Sequence, residues 1–371
     1  MEFTVSQANL ARELSFSQGV VEKKTTIPIL SNVLIEAAQD RITLTATDLE
    51  LGFRCSCPAR VKKAGAGTLP ARRLLDYVRL LPAADLDIKI TDNHWATLTC
   101  GRSKTRIAGM SRESFPELPA MPEPLAKIPA KLLAGLISRT VFAISAEESR
   151  FTLNGALLIL KKDSAAMVST DGHRLSYAEK AIELPGVSGV YKALLPKKAM
   201  QEIQRLAAEA TPDDEAIFAG DENHLFFEIG DRLLLSRKLT GNFPDFERVL
   251  PKEHPNVVSL PKDEFKSAIE RVAQFSDDRS HAIRVHVGDG EVKIHSSLSD
   301  TGESEESLLT GYSGPEVEIG FNAQYLVDFL RALSENEASF HFKDGNSAGE
   351  LRPSAEAADY QYRYVVMPMR I

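Results

Sequence analysis

Cysteine is scarce in this 371-residue chain: three residues, Cys55, Cys57 and Cys100. An odd number cannot form a closed disulfide framework, so they are expected to be structural thiols of a reducing, cytoplasmic protein. Tryptophan occurs once. Long apolar runs are missing as well. The longest, around Ala156 to Leu160, is far short of the ~20 residues a membrane span requires. The first residues, MEFTVSQANL, carry no basic region followed by an apolar one, so no secretory leader is expected. Positive charge is also in deficit: 44 Lys and Arg against 52 Asp and Glu leave a net charge of −8. Non-specific nucleic-acid binders normally hold phosphates with a basic surplus. Any role on DNA would need a local basic surface, or retention by something other than tight contact.

Local motifs for cofactors are equally absent. The sequence has neither G-x-G-x-x-G nor G-x-x-x-x-G-K-[ST], so nucleotide binding has no local support. The eight histidines are scattered without an H-x-x-x-H pair, and no C-x-x-C occurs, so neither zinc nor another metal is expected. The acidic run Glu303-Ser304-Glu305-Glu306 reads as a solvated loop.

What the chain does have is ordinary globular composition, 43% hydrophobic and 26% charged, arranged in threes. Apolar residues at three- and four-residue spacing mark a helix near the start of each third. They are Leu10, Leu14 and Val21, then Leu133, Leu136, Thr140 and Ile144, then Phe265, Ala268 or Ile269, Val272 and Phe275. Alternating runs follow. Ile42, Leu44 and Ala46 predict one strand, and Leu51, Phe53, Cys55 and Cys57 another. Ile283, Val285 and Val287 predict a strand that turns at Asp289-Gly290 into Val292 and Ile294, a pair expected to adopt positive φ at both positions.

A second helix begins at Pro70, Pro196 and Asn322, each 126 residues from the last. Proline suits a first helical turn, and Asn an N-cap. Thr47-Asp48 and Thr170-Asp171 lie 123 residues apart, and Phe115-Pro116 and Phe243-Pro244 lie 128 apart. Agreement of several pairs in order predicts three copies of a helix–strands–helix–strands unit. Proline-rich stretches at Pro116 to Pro124 and Pro251 to Pro255 place the boundaries at 1–122, 126–250 and 256–371.

Two features carry candidate chemistry. Thr170-Asp171-Gly172-His173-Arg174 could supply a hydrolase with His173 as base, Asp171 as its orienting acid and Ser169 or Ser176 as nucleophile. An Asp-Gly turn with a polar flank is the plainer reading. The six expected helical segments, 6–24, 70–81, 129–148, 196–209, 261–278 and 322–333, together carry +2, leaving −10 for the remainder. Arg72, Arg73 and Arg79 oppose only Asp76, and Lys197, Lys198 and Arg205 oppose Glu202 and Glu209. The same charges also fit solvated helix faces.

Against this background the chain resembles the bacterial sliding clamp, the β subunit of the replicative DNA polymerase holoenzyme. The resemblance runs end to end. It is carried by Phe3-Thr4-Val5, Ile27-Pro28-Ile29-Leu30-Ser31-Asn32, Thr47-Asp48-Leu49-Glu50, Leu153-Asn154-Gly155 and Thr170 to Leu175. Phe243-Pro244-Asp245-Phe246, Arg248-Val249-Leu250-Pro251 and Tyr364 to Arg370 complete it.

The resemblance implies an α+β fold of three repeated clamp domains, each with two helices packed on antiparallel sheets, in a head-to-tail dimeric ring around duplex DNA. It implies no catalytic residues, no cofactor and a processivity role. Polymerase catalytic subunit, clamp loader and other proteins would bind through short linear motifs. The implied partner-peptide site comprises Leu153, Thr170, Gly172, His173, Arg174, Leu175, Pro244, Arg248 and Val249. The tail residues Val365, Val366, Met367, Pro368, Met369 and Arg370 join them.

The implied DNA contacts are Lys24, Arg72, Arg79, Arg150, Lys197 and Arg205. The implied dimer seam brings the strand at Lys104 to Ile107, with Thr105 and Ile107, against Gln274 and Phe275 of a second copy. Four residues depart from that pattern. Thr105 and Gln274 are polar for a seam, Glu147 places an acid beside the DNA path, and Ala348 stands where the pocket edge implies a polar residue.

Overall fold

In the computed structural model, which describes residues 1–22, 26–147, 149–298, 302–355, 357 and 359–370, the elements come in three runs of one order. The first run is Glu2–Ser6 (β1), Gln7–Ser17 (α1), Asn32–Ala38 (β2), Arg41–Thr47 (β3), Leu51–Lys63 (β4) and Gly65–Pro70 (β5). It ends with Ala71–Leu80 (α2), Asp85–Ile90 (β6), Trp95–Cys100 (β7) and Ser103–Ala108 (β8).

The second run is Ala126–Pro129 (β9), Ala130–Ser138 (α3), Gly155–Leu160 (β10), Ser164–Thr170 (β11) and Arg174–Ala181 (β12). It continues through Tyr191–Pro196 (β13), Lys197–Ala208 (α4), Glu215–Gly220 (β14), His224–Ile229 (β15) and Arg232–Arg237 (β16). The third is Asn256–Pro261 (β17), Lys262–Val272 (α5), Ala282–Gly288 (β18), Glu291–Leu298 (β19) and Gly302–Leu309 (β20). Val317–Asn322 (β21), Ala323–Ala332 (α6), Glu337–Phe342 (β22), Gly349–Pro353 (β23) and Tyr360–Val366 (β24) close it.

The 126-residue interval is thus the spacing of α2, α4 and α6, whose first residues are Ala71, Lys197 and Ala323. Several sequence expectations need adjusting. Each run begins with a short strand ahead of its first helix, which the helical periodicity masked. Pro70 and Pro261 cap their helices from outside instead of occupying the first turn, because each is the last residue of the strand ahead of its helix. Asn322 does act as an N-cap, its side chain accepting from the N–H groups of Gln324 and Tyr325.

The first helix of each run is shorter than its apolar pattern. Val21, Thr140 and Ile144 lie beyond the helices, although Thr140 and Ile144 are buried, and Phe275 ends a 3-10 turn, Ala273–Phe275, that follows α5. At the end of α3, the Thr140 hydroxyl donates back to the Leu136 carbonyl at 2.8 Å, a local bond that competes with helix continuation. In the β18–β19 hairpin the left-handed φ falls on Gly290 (75°) and not on Asp289.

All named ladders are antiparallel, and the packing resolves into two bodies. One comprises 1–134 and 198–238. Its sheet runs β8-β7-β6-β1-β4-β16-β15-β14-β9, with β2, β3 and β5 attached through the β3–β4 ladder. Phe3, Leu10, Leu14, Phe53, Phe218 and Phe227 are wholly buried in it. Glu13 of α1 forms a bidentate pair with Arg232 of β16 at 2.7 and 2.9 Å, and Arg232 also stacks on Phe16 at 4.2 Å. All three cysteines are free and buried. Burial, then the neighbouring Glu13 carboxylate, pushes the Cys57 thiol up to about 12, so it is inert as a nucleophile at neutral pH.

The other body comprises 135–197 and 239–371. It holds an eight-stranded sheet, β13-β10-β11-β12-β24-β23-β22-β17, and a four-stranded one, β20-β19-β18-β21. Tyr364 is fully buried and stacks on Phe329 at 5.2 Å. Glu350, also fully buried, receives Arg352, Arg363 and His254.

Candidate partner-binding groove

The site is assembled by one tight loop and the chain's tail. Between β11 and β12 the Thr170 hydroxyl donates to the Arg174 carbonyl at 2.6 Å and accepts from the Gly172 N–H at 3.1 Å. The Asp171 carboxylate accepts from the N–H groups of His173 and Arg174 at 2.9 and 3.0 Å. Gly172 sits at φ +91°, where a side chain would be strained. The run that reads as a catalytic motif is therefore a self-capped turn.

The structure does not bring the hydrolase set together. Asp171 Oδ2 takes the Arg174 Nε instead of the His173 ring. Ser169 and Ser176 are buried, each donating to a backbone carbonyl, of Thr140 and Arg139 respectively.

β24 pairs with β12 in register Arg174↔Val366 and Leu175↔Val365, and the Met367 N–H extends the ladder to the His173 carbonyl at 2.9 Å. Pro368 has no N–H to give, so pairing with the loop stops there. Met369 bonds instead to the Gly320 carbonyl at 2.8 Å. The tail residues thus divide by role. Val365 and Val366 are buried in the sheet, Met367 is half exposed, Pro368 and Met369 are partly covered, and Arg370 is open to solvent.

Beneath them Leu157, Ile159, Val168, Leu175, Tyr177, Leu194, Phe246 and Val365 form one apolar cluster, flanked by the partly exposed Leu239, Phe243, Leu250 and Ala348. Tyr177 and Phe246 stack at 5.7 Å. Leu239 lies over Gly155, where a Cβ would come within 2.7 Å of it and 2.2 Å of the Leu195 carbonyl. That close approach accounts for the glycine in Leu153-Asn154-Gly155. Leu153 itself is only partly buried. On the rim, Pro244 and Val249 are exposed, and Arg248 pairs with exposed Asp245 at 2.7 Å. Sequence reasoning did not single out Leu239, Phe243, Phe246 or Tyr177 as groove residues. Phe243 and Phe246 stand in sequence only within Phe243-Pro244-Asp245-Phe246, and the 128-residue recurrence of Phe-Pro is the signal that points to them.

Arg174 is not a free recognition group. Its Nε meets Asp171 at 3.0 Å, Nη1 meets Asp328 at 2.6 Å and Nη2 donates to the Phe142 carbonyl at 2.7 Å. The guanidinium also lies 4.2 Å over the Tyr325 ring. Burial on its own would lower its proton affinity, but Tyr364, Asp328 and Asp171 more than offset this and keep it charged. It braces the loop against α6.

The cationic candidates for DNA are unevenly available. Arg72 is exposed, with Asp76 at 3.9 Å. Arg79 is exposed and donates to the Ser15 hydroxyl at 3.1 Å. Arg205 is committed to Glu202 at 2.7 Å and the Ser15 carbonyl at 2.9 Å. Arg150 is paired with Glu147 at 2.7 Å and donates to the Asp171 carbonyl. Lys197 is partly buried, and Lys24 lies outside the described residues.

Of the seam candidates, Thr105 and Ile107 are on β8, an edge strand. The Ile107 side chain is buried in its own body, whereas Lys104 and Arg106 point to solvent. Gln274 is exposed and Phe275 half-buried beside Gly302, the first residue of β20.

Three tandem modules of one design, with a groove built from a capped loop and a C-terminal strand, define a repeat-built DNA-clamp architecture. Comparison with known proteins gives that class its family. Residues 1–119, 127–245 and 247–370 match the N-terminal, central and C-terminal domains of the DNA polymerase III beta subunit. The beta sliding clamp of Chlamydia muridarum is 33% identical over 373 residues, covering 100% of this chain and 99% of the relative. That of Pseudomonas putida is 32% identical with full coverage of both. The crystal structure of the DNA polymerase III subunit beta from Pseudomonas aeruginosa superposes over the whole of both chains with a TM-score of 0.94 at 32% identity. The chain belongs to the DNA polymerase III beta subunit family, and its function is that of a DNA sliding clamp.

Proposed function

We propose that two copies of this chain close head to tail into a ring around duplex DNA. The observation that carries this reading is a pair of open sheet edges of opposite charge. Among the described residues β8 pairs only with β7, and β20 only with β19. β8 presents Lys104 and Arg106, while β20 presents Glu303 and Glu305, its Glu306 being taken by Arg271 of α5 at 2.7 Å. A long unpaired edge invites another strand. Lysine and arginine facing Glu303 and Glu305 would select an edge of the other kind over a copy of itself. Thr105 and Ile107 would then contribute backbone, and Gln274 and Phe275 would flank the acidic edge. Such heterologous contacts close when the rotation per subunit allows.

The domain division of 1–122, 126–250 and 256–371 supports six modules per ring. Retention by topology fits the net charge of −8, since contacts to phosphate can stay weak enough for sliding. Lys24, Arg72, Arg79, Arg150, Lys197 and Arg205 would supply those contacts, positioning without reading sequence. The groove of Leu153, Thr170 to Leu175, Pro244, Arg248, Val249 and the tail would take short motifs from the polymerase, the clamp loader and other proteins. The apolar floor and two methionines suit varied sequences. Tethering would act by effective concentration, not chemistry, in the cytoplasm. Among the described residues no helix is long and apolar enough to cross a membrane.

Sedimentation equilibrium across a concentration range tests the assembly. A species of twice the protomer mass is expected, and a persistent monomer would overturn the ring.

A further inference from the structure

The loop that builds the groove occurs a second time. Between β3 and β4 the Thr47 hydroxyl donates to the Leu51 carbonyl at 2.7 Å and accepts from the Leu49 N–H at 3.0 Å. Asp48 accepts from the N–H groups of Glu50 and Leu51 at 2.9 and 2.6 Å. Arg237 bonds to the Glu50 carbonyl at 2.9 Å, as Met367 bonds to that of His173. With the loops in register at an interval of 123, the strands behind them correspond residue by residue.

That correspondence exposes a substitution. In the second copy the adjacent strands carry Leu157, Val168 and Tyr177 side by side, and Phe246 covers them by stacking on Tyr177. In the first copy the same places hold Leu34, Thr45 and Arg54, again cross-strand neighbours. Leu118 stands for Phe246. It reaches toward Gly52, 2.9 Å from where a Cβ would be, and a cavity of about 450 Å³ lies open over Leu34, Thr45 and Arg54.

Two groups there lack partners among the described residues. Thr45 is only 3% exposed, and its hydroxyl makes no hydrogen bond. A buried hydroxyl without a partner is destabilising, because it gives up its bonds to water and gains none in return. Arg54 is half-buried, and no carboxylate among the described residues pairs with it. Its neighbour Arg112, by contrast, is matched by Glu36 at 3.2 Å. A second cavity of about 390 Å³ shares Pro116, Glu117 and Leu118 with the first and leads past Leu49 to Arg237.

We propose that this face is a second binding site, distinct from the tail groove, for an extended peptide segment of a partner protein. One acidic side chain of the peptide would pair with Arg54 and hydrogen-bond to Thr45, with apolar neighbours against Leu34 and Leu118. The elongated double cavity suits an extended chain better than a compact anion. Glu36, Glu113 and Glu117 on its walls admit a single carboxylate at Arg54 and repel a polyanion, so nucleic acid is the disfavoured occupant. The proposal depends neither on the ring nor on the tail groove.

The test titrates full-length chain, with methyl-labelled leucine, against N-acetylated, C-amidated Leu-Asp-Leu and Leu-Asn-Leu, reading the Leu34 and Leu118 resonances. The aspartyl peptide is expected to bind saturably and at least tenfold more tightly than the asparaginyl one. Arg54→Gln should erase that preference, and removal of residues 367–371 should leave it intact. The refilling variant Thr45→Val, Arg54→Tyr, Leu118→Phe copies the sealed face, so it should melt no lower than the parent and lose the peptide. Equal affinity for both peptides, unchanged binding in Arg54→Gln or in the refilled variant, or a response only to a duplex oligonucleotide would overturn the proposal.

Discussion

The Met367 N–H donates to the His173 carbonyl at 2.9 Å, one residue past the last ladder pair of β24 and β12. This single bond fixes the tail along the capped loop and sets the mouth of the groove. Because Met367 is 46% exposed, the contact organises the site while contributing little to the core.

Deleting residues 367–371 should therefore abolish binding of a polymerase-derived peptide in a fluorescence polarisation assay. The melting temperature should fall only slightly, since the described part of the tail loses two backbone hydrogen bonds worth about 1 kcal/mol each. Unchanged peptide affinity would remove the tail from the groove.

Arg174→Ala should behave differently. It leaves Asp328 and Asp171 facing a void, and breaking a buried pair typically costs about 3–5 kcal/mol. Chemical denaturation should show that loss together with weaker peptide binding. An unaltered denaturation midpoint combined with lost binding would mean that Arg174 contacts the peptide directly.

The charged edges make a reciprocal prediction. Lys104→Glu with Arg106→Glu should shift the sedimentation profile toward monomer, and Glu303→Lys with Glu305→Lys in a mixed partner should restore the dimer. Failure of the rescue would locate the seam elsewhere.

Acid should loosen the third repeat. Burial, with the Arg352 charge adding to it, pushes His341 down to about 4. The unfolded chain therefore takes up a proton that the folded one refuses as pH falls from about 6.5 toward 4. Burial alone would raise the Glu350 carboxyl, but hydrogen bonds from His254, Arg363 and Arg352 hold it well below its usual range. Its contribution persists above the ordinary carboxylate range and is lost at still lower pH. Melting temperature should fall steadily between pH 6.5 and 4, and His341→Asn should flatten that slope.

On α2, Arg72→Glu with Arg79→Glu should reduce the salt dependence of DNA association by roughly two ions. An identical salt slope would take these arginines out of the DNA path.

The repeat was legible because helix periodicity and the 126-residue interval are local or arithmetic properties. The pairing at the site was not. Arg174 reads as a ligand contact in sequence, yet its partners Asp328 and Phe142 lie far along the chain and only folding brings them in. Phe246 and Tyr177 meet for the same reason. The open face at Thr45 and Arg54 becomes visible only when the first loop is laid on the second. The interval of 123 was available to do this, but the polar pair carries no motif of its own.

The most direct test is retention on DNA. Clamp assembled by its loader on nicked circular duplex should stay bound at high salt and be released when a restriction enzyme linearises the circle, because only topology holds it. Equal retention on circular and linear duplex would contradict encirclement.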